Sequence, residues 1–325
     1  MNTQQQPKRP LQSLKRDRYG TSPTQAGSKR VAPGAMDWAA MIAPENLAAA
    51  WLKVRANGGG PGVDGQNLRD FETRLRENIA ELHHELADGK YEPKAVVKVL
   101  VPKASGGRRP LGILTIRDRI IQRAVSDVLT PLYEPKFSDC SYAFRQGRSV
   151  RDAVGAIVRL REAGNWWVVD ADIKQCFENI DHDILLGLVR REVHEPHVLR
   201  LIEQWLKARI FNELNSKGVQ SGVFQGSVIS PLLCNVYLHE FDQTLIKAQL
   251  GLVRYADDWV VVCPSKPEAT EALSLATDAL ARLKMAVNLY RTDIVTFDDG
   301  FTFVGAFFIR KEYFYLSRGM KVAKE

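Results

Sequence analysis

The stretch Arg254-Tyr255-Ala256-Asp257-Asp258-Trp259-Val260-Val261-Val262 sets two adjacent carboxylates between segments that read as buried strand. A second acidic strand lies upstream in Trp166-Trp167-Val168-Val169-Asp170-Ala171-Asp172-Ile173-Lys174. Taken alone, Asp-Asp can be no more than a polar turn, since Asp is a common turn former. The second acidic strand opens another reading. If Asp172, Asp257 and Asp258 converge, each pair of charges about 4 Å apart repels by roughly 4 kcal/mol at an effective dielectric near 20. Such a cluster either takes up protons or binds cations. An all-oxygen set without His or Cys favours a hard metal, Mg²⁺ first and Mn²⁺ second. Two such ions roughly 3.5–4 Å apart can activate an attacking 3′-oxygen and stabilise a leaving pyrophosphate in an in-line displacement. The chemistry indicated is nucleotidyl transfer.

The neighbouring sequence must position these groups. Side chains alternate along a strand, so Asp170 and Asp172 share one face while Val169, Ala171 and Ile173 share the other. The runs 252–255 and 259–263 are short and rich in β-branched and aromatic residues, which predicts a hairpin with the aspartates at its turn. Asp181 is placed to cap a helix over 183–193. Helical spacing also predicts helices over 45–54, 67–86, 116–133 and 148–163. Residues 95–101 alternate as a strand and continue into a hairpin that turns at Gly106-Gly107, with Lys103, Arg108 and Arg109 near its tip. That hairpin is either a solvated edge or a clamp for a triphosphate, because guanidinium binds phosphate oxygens bidentately. The glycine-rich loop 57–65 either brings backbone close to a ligand or merely connects two helices.

Composition narrows the classes. A chain of 325 residues with 45% apolar content buries a large core and reads as two or three subdomains. Its four cysteines lack C-x-x-C spacing, which argues against a zinc ribbon or disulfide scaffold and fits a reducing, cytoplasmic setting. No apolar run approaches the roughly 20 residues that span a bilayer, and the polar N-terminus has no signal-peptide core. The net charge is +7, and between Met1 and Met36 Lys8, Arg9, Lys15, Arg16, Arg18, Lys29 and Arg30 face the single acid Asp17, a local surplus of six. This tail is expected to be disordered when free. It is either solubilising or a nucleic-acid-binding arm whose affinity falls steeply with salt.

The motifs also follow one another in a familiar order: 57–65, 102–112, Ser141-Tyr142-Ala143-Phe144-Arg145-Gln146-Gly147-Arg148-Ser149, 170–177, Gln225-Gly226-Ser227-Val228-Ile229-Ser230-Pro231-Leu232-Leu233, 255–258 and Gly300-Phe301-Thr302-Phe303-Val304-Gly305. The series resembles the reverse transcriptase domain of bacterial group II intron-encoded proteins, over roughly residues 48–316. The resemblance implies an α+β right-hand polymerase with fingers over 37–164 and palm over 165–316, the antiparallel palm sheet backed by helices, between a basic tail 1–36 and a short tail 317–325. It implies catalysis and metal binding at Asp172, within an Asp-Ile-Lys-x-x-Phe pattern, and at Asp257 and Asp258; Asp170 becomes a neighbour. Phe177 becomes a steric gate whose ring leaves no room for a 2′-hydroxyl, although read locally it could equally be core. Lys103 and Arg109 correspond to a triphosphate clamp, Gln225 and Gly226 to the loop against template and nascent pair, and Arg145, Gln146 and Tyr255 to nucleic-acid contacts. The implied activity is RNA-directed DNA polymerase with two Mg²⁺ ions, Mn²⁺ being a possible substitute. Its partners would be an RNA template, a DNA or RNA primer and deoxynucleoside triphosphates.

Three departures from the family pattern stand out. Phe224 precedes Gln-Gly where the family usually has Pro. Arg291-Thr292 stands where Lys-Thr is typical, and an arginine holds its proton too tightly to protonate pyrophosphate. After residue 316 the family would continue into a helical thumb, the maturase region, and often an endonuclease part; the six histidines form no H-N-H cluster. The expectation is therefore an absent thumb, with three origins open: a truncated or degenerate copy, a thumb supplied by a partner protein, or a domesticated CRISPR-associated or phage-defence relative; intron RNA is a further expected partner. An RNA-binding splicing cofactor without processive synthesis is the alternative function. A palm-related nucleotide cyclase is disfavoured because the fingers motifs would have no job.

Overall fold

Capping residues account for most of the predicted helix starts. In the computed structural model, which describes residues 36–102, 107–211 and 221–316, Asp37 caps α1 (Trp38–Met41) and a proline at the first position opens α2 (Pro44–Asn57). Asn67 accepts from Arg69 and Asp70 amides to start α3 (Leu68–Thr73). The single helix expected over 67–86 breaks at Arg74, whose φ of −123° and ψ of 37° are not helical, and α4 (Leu75–Ala87) begins afresh. Asn78 Nδ2 donates to Phe71 O at 2.9 Å and so satisfies a carbonyl that the break leaves without a helical partner. The two strands of the expected hairpin form as β1 (Val97–Pro102) and β2 (Arg108–Ile113), antiparallel with Val101 opposite Arg109, while 103–106 lie outside the described residues. Thr115 then caps α5 (Ile116–Tyr133), whose bounds match the periodicity.

The loop between α2 and α3 uses its glycines against the protein itself. A Cβ on Gly62 would lie 2.6 Å from the Thr115 backbone, so only glycine fits there. Arg119 donates to Gly60 O and, at 2.9 Å, to Leu114 O, which fixes the loop on the start of α5.

A full capping box between Ser149 and Asp152 starts α6 (Val150–Glu162), and β3 (Trp167–Asp172) follows. Asp181 caps α7 (His182–Arg190) as expected and also pairs with Lys284 at 2.6 Å. The helix stops short of 193, and α8 (Pro196–Leu206) starts after the intervening turn. Then come α9 (Ser230–Lys247), β4 (Gly251–Tyr255), β5 (Asp258–Cys263), α10 (Lys266–Arg282) and β6 (Asp293–Thr296). The strands β7 (Phe301–Phe303), β8 (Ala306–Ile309) and β9 (Glu312–Tyr315) form a separate antiparallel sheet.

The central sheet has the order β4-β5-β3-β6 with every pairing antiparallel. Val169, Ala171, Trp259 and Val261 belong to a core built with α9 and α10 on one face. Val168, Val253, Val260 and Val262 belong to a second core on the other face, built with α6 and the phenylalanines of 297–308. With both faces covered, β5 reads as an unbroken apolar run rather than an alternating one. Residues 36–316 all fall within one compact unit. Among the described residues no helix is long and apolar enough to cross a membrane.

Candidate functional site

The strand register brings the acidic segments together. Asp258 is the direct antiparallel partner of Asp172, at the ends of β5 and β3, a position where opposed Cα atoms lie about 4.5–5.5 Å apart. Tyr255 pairs with Asp258, so the hairpin loop is Ala256-Asp257, with Ala256 at φ 59°. Asp257 therefore occupies the turn while Asp258 opens the strand, a refinement of the expectation that both sit in the turn. Ile173 N donates to Asp257 O at 3.1 Å, tying the turn to the end of β3. Asp170 and Asp172 share the α6 face of the sheet as strand alternation predicted, and Asp170 stands half-buried opposite Asp293 in register.

The electrostatics of this cluster are unfinished. Asp172 is buried; its Oδ2 accepts from Asn288 Nδ2 and Arg291 Nη1, both at 2.9 Å, whereas its Oδ1 is buried without a hydrogen-bond partner. Arg291 Nη2 reaches Asp258 Oδ1 at 3.3 Å. Burial and then the neighbouring Asp257 charge push the Asp258 carboxyl up to about 7, against the pull of Arg291. Burial and the Asp172 charge raise Asp257 as well. Both shifts describe carboxylates short of positive charge. Among the described residues no three His, Cys, Asp or Glu side chains converge closely enough to hold a metal ion as they stand. The cation between Asp172 and Asp258 is the arginine. The donors nonetheless suit a hard divalent ion, because they are all oxygen and one buried lone oxygen of Asp172 has no other ligand.

Asp172 and Asp257 line a cleft of about 730 Å³ that β2 also lines, whereas Asp258 stands outside its lining. Arg108 and Arg109 are exposed and line it; Lys103 lies outside the described residues. Phe177 is half-buried at the start of a short 3₁₀ turn, one side against the core and the other in the cleft. Gln225 donates from Nε2 to Glu178 Oε1 at 3.1 Å and accepts from Gly112 N at 2.7 Å. At Gly226, with φ 96°, a Cβ would come 2.7 Å from Leu111 Cδ1 and 2.8 Å from Gly112 O. The close approach that demands glycine there is to β2, whatever else the loop meets. Phe224, in the place of the expected proline, packs over Gly112.

Arg145 has a different occupation from the template contact expected of it. Its side chain is 3% exposed, pairs with Glu134 at 2.8 Å, and donates from Nη1 to Ser138 O at 2.7 Å and Ser141 O at 2.9 Å. Its guanidinium also lies over the Phe137 ring at 5.4 Å. With its donors turned inward, Arg145 holds its own loop. Gln146 is exposed beside it. Tyr255 is half-buried and packs on the core around α6. Three contributors were missed or misread from sequence: Asn288, which carried no local signal; Arg291, noted only as a departure from Lys; and Phe144, whose exposed ring enters the cleft.

Comparison with known proteins agrees with this architecture. Residues 101–308 match the family described as reverse transcriptase (RNA-dependent DNA polymerase). Protein YkfC of Escherichia coli (strain K12) is 33% identical over 309 residues, covering 82% of this chain and 81% of that protein. Group II intron-encoded protein LtrA of Lactococcus lactis subsp. cremoris is 39% identical over 179 residues, covering 55% of this chain and 30% of LtrA. Telomerase from Candida albicans, solved with a fragment of telomeric RNA, shares the fold with a TM-score of 0.53 at 13% identity, covering 73% of this chain and 48% of that one. The chain thus spans most of YkfC, under a third of LtrA and about half of the telomerase chain.

Proposed function

The chain belongs to the reverse transcriptase (RNA-dependent DNA polymerase) family, and from that premise we propose that it extends a primer 3′ end with deoxynucleotides on an RNA template. The observation that carries the reading is the Asp172–Asp258 register with Asp257 in the adjoining turn, Asp172 and Asp257 lining a cleft that Arg108 and Arg109 also line. Asp172, Asp257 and Asp258 are the proposed holders of two divalent ions, Mg²⁺ before Mn²⁺. Bound there, the ions would lower the pKa of the attacking 3′-hydroxyl and stabilise charge on the leaving pyrophosphate.

The remaining roles fall to the chain's own side chains. Arg109, with Lys103, binds the triphosphate, where a guanidinium fork matches phosphate oxygens. Phe177 presses on the sugar and disfavours a 2′-hydroxyl. Arg291 holds Asp172 and Asp258 in place and would give way where divalent ions are bound. Residues 37–164 serve as fingers and 165–316 as palm. The basic segment 1–36 serves as an arm for the nucleic-acid backbone, and intron RNA is a candidate partner on the strength of the LtrA similarity.

A second reading has its own support. A site in which arginine already occupies the space between two of the carboxylates also suits an RNA-binding splicing cofactor that no longer polymerises. Primer extension on an RNA template with Mg²⁺ separates the two. Label incorporation that disappears in Asp257→Ala supports the polymerase; tight RNA binding with no incorporation by the unaltered chain supports the cofactor.

A further inference from the structure

Phe144 combines three properties that rarely coincide in one residue. Its backbone is left-handed, with φ 61°, a conformation that a bulky L-residue adopts only under compulsion. The residue is 54% exposed, so burial does not repay the strain. The ring also faces the cleft, meeting Phe177 edge to face with centroids 6.4 Å apart and planes at 82°.

The compulsion comes from both sides of the residue. Ahead of it, buried Asn235 Nδ2 donates to Ala143 O at 2.9 Å, and Tyr142 N donates to Arg254 O at 3.0 Å. Behind it, Arg145 is locked to Glu134, Ser138 and Ser141 as described above. Backbone strain persists where surrounding structure over-determines it, and such positions cluster at ligand sites. A turn alone would be served better by glycine at this φ. The chain keeps a large apolar ring there instead, pointed at the ring proposed to meet the sugar.

We propose that Phe144 is a specificity-determining residue for the nucleotide sugar: it backs Phe177 and limits the swing of that ring, and Arg145 is the positioning residue that holds it there. The choice of a nucleoside triphosphate as ligand rests on the polymerase reading above. With Phe144 removed, Phe177 gains space to rotate away from the sugar, and a 2′-hydroxyl is admitted.

The test uses the full chain with an RNA template and primer, and compares Phe144→Gly, Phe144→Tyr, Arg145→Gln, Arg145→Lys and Phe177→Ala. Two readouts are taken: kcat/KM for dGTP against GTP, and binding of each to complexes whose primer ends in a dideoxynucleotide, which need no chemistry. Phe144→Gly is expected to lower discrimination about tenfold, the size of one pocket contact, chiefly through a lower KM for GTP. Phe144→Tyr should keep the discrimination. Arg145→Gln should shift the ratio in the same direction by less, with partial recovery in Arg145→Lys. Thermal unfolding guards the result, because glycine relieves the strained φ and Phe144→Gly should melt no lower than the unaltered chain. A lower melting point with unchanged discrimination makes Phe144 a structural residue and overturns the proposal. Unchanged discrimination in Phe144→Gly alongside lost discrimination in Phe177→Ala overturns it too, while leaving the polymerase reading intact. A chain that extends nothing, yet binds dGTP over GTP until Phe144 is removed, sinks the polymerase reading and upholds the ring assignment. Absence of any sugar preference in the unaltered chain removes both.

Discussion

Two arginines meet aspartates at the β4–β5 hairpin, one on each face of the sheet, and they are satisfied to very different degrees. Arg254 is fully buried and donates to both Asp242 oxygens at 2.6 Å, to Ser141 Oγ at 2.8 Å, to Ala256 O at 3.0 Å and to Asn235 Oδ1 at 3.2 Å. That uses every N–H a guanidinium has. Arg291 is 60% exposed, makes one contact to each of two aspartates, and leaves Asp172 Oδ1 alone. The first constellation is complete and has nothing left to bind. The second has carboxylates pushed toward protonation and a solvent-exposed cation beside them, a combination in keeping with the ion site proposed above.

The contrast can be broken most decisively at Arg254. Arg254→Ala strands Asp242 as a buried unpaired charge and should cost about 3–5 kcal/mol in denaturant unfolding; a loss below about 1 kcal/mol would mean the inner pair is not structural. Asp257→Asn should do the reverse. We expect incorporation to fall roughly 10²–10³-fold, about 3–4 kcal/mol of barrier, with stability unchanged or raised because one of several crowded like charges is gone. A drop in stability comparable to that of Arg254→Ala would erase the distinction between the two faces.

Titration sharpens it further. Asp258 in the folded chain holds its proton up to about 7, against an ordinary value of 3.8. The folded state therefore binds more protons than the unfolded one between these values, and metal-free stability should decline as pH rises from about 4 to 7. Melting curves across that range should show the decline, Asp258→Asn should flatten it, and Mg²⁺ should oppose it at the upper end by binding the folded state. The smallest effect is expected at Arg291. As an exposed pair it contributes on the order of 1 kcal/mol or less, so Arg291→Gln should tighten Mn²⁺ binding by a few-fold in calorimetry; weaker binding would make Arg291 a supporter of the ion and not its competitor.

How far these features could be read from sequence depends on the range of the interactions that set them. Strand alternation put Asp170 and Asp172 on one face, and regular helical spacing bounded α5, because both follow from local rules. The break at Arg74 has no local signature, since arginine is a good helix former. Asp258 belongs to the strand because Tyr255 within the hairpin and Asp172 across the sheet both pair with it, and the second of these pairings joins segments far apart in sequence. Arg145 shows the limit most clearly: its motif identified the loop, yet whether its guanidinium faces solvent or Glu134 and the Ser138 carbonyl is a matter of tertiary packing. Asn288 joins the site only because the chain returns to β3 after α10.

Arg254 has a mechanical consequence beyond stability. The same guanidinium grips Ser141, at the root of the loop that carries Phe144, and the Ala256 carbonyl beside Asp257. The loop proposed as a sugar wall and the turn that carries Asp257 are therefore bolted to one rigid anvil, so the two cannot shift independently without breaking that grip.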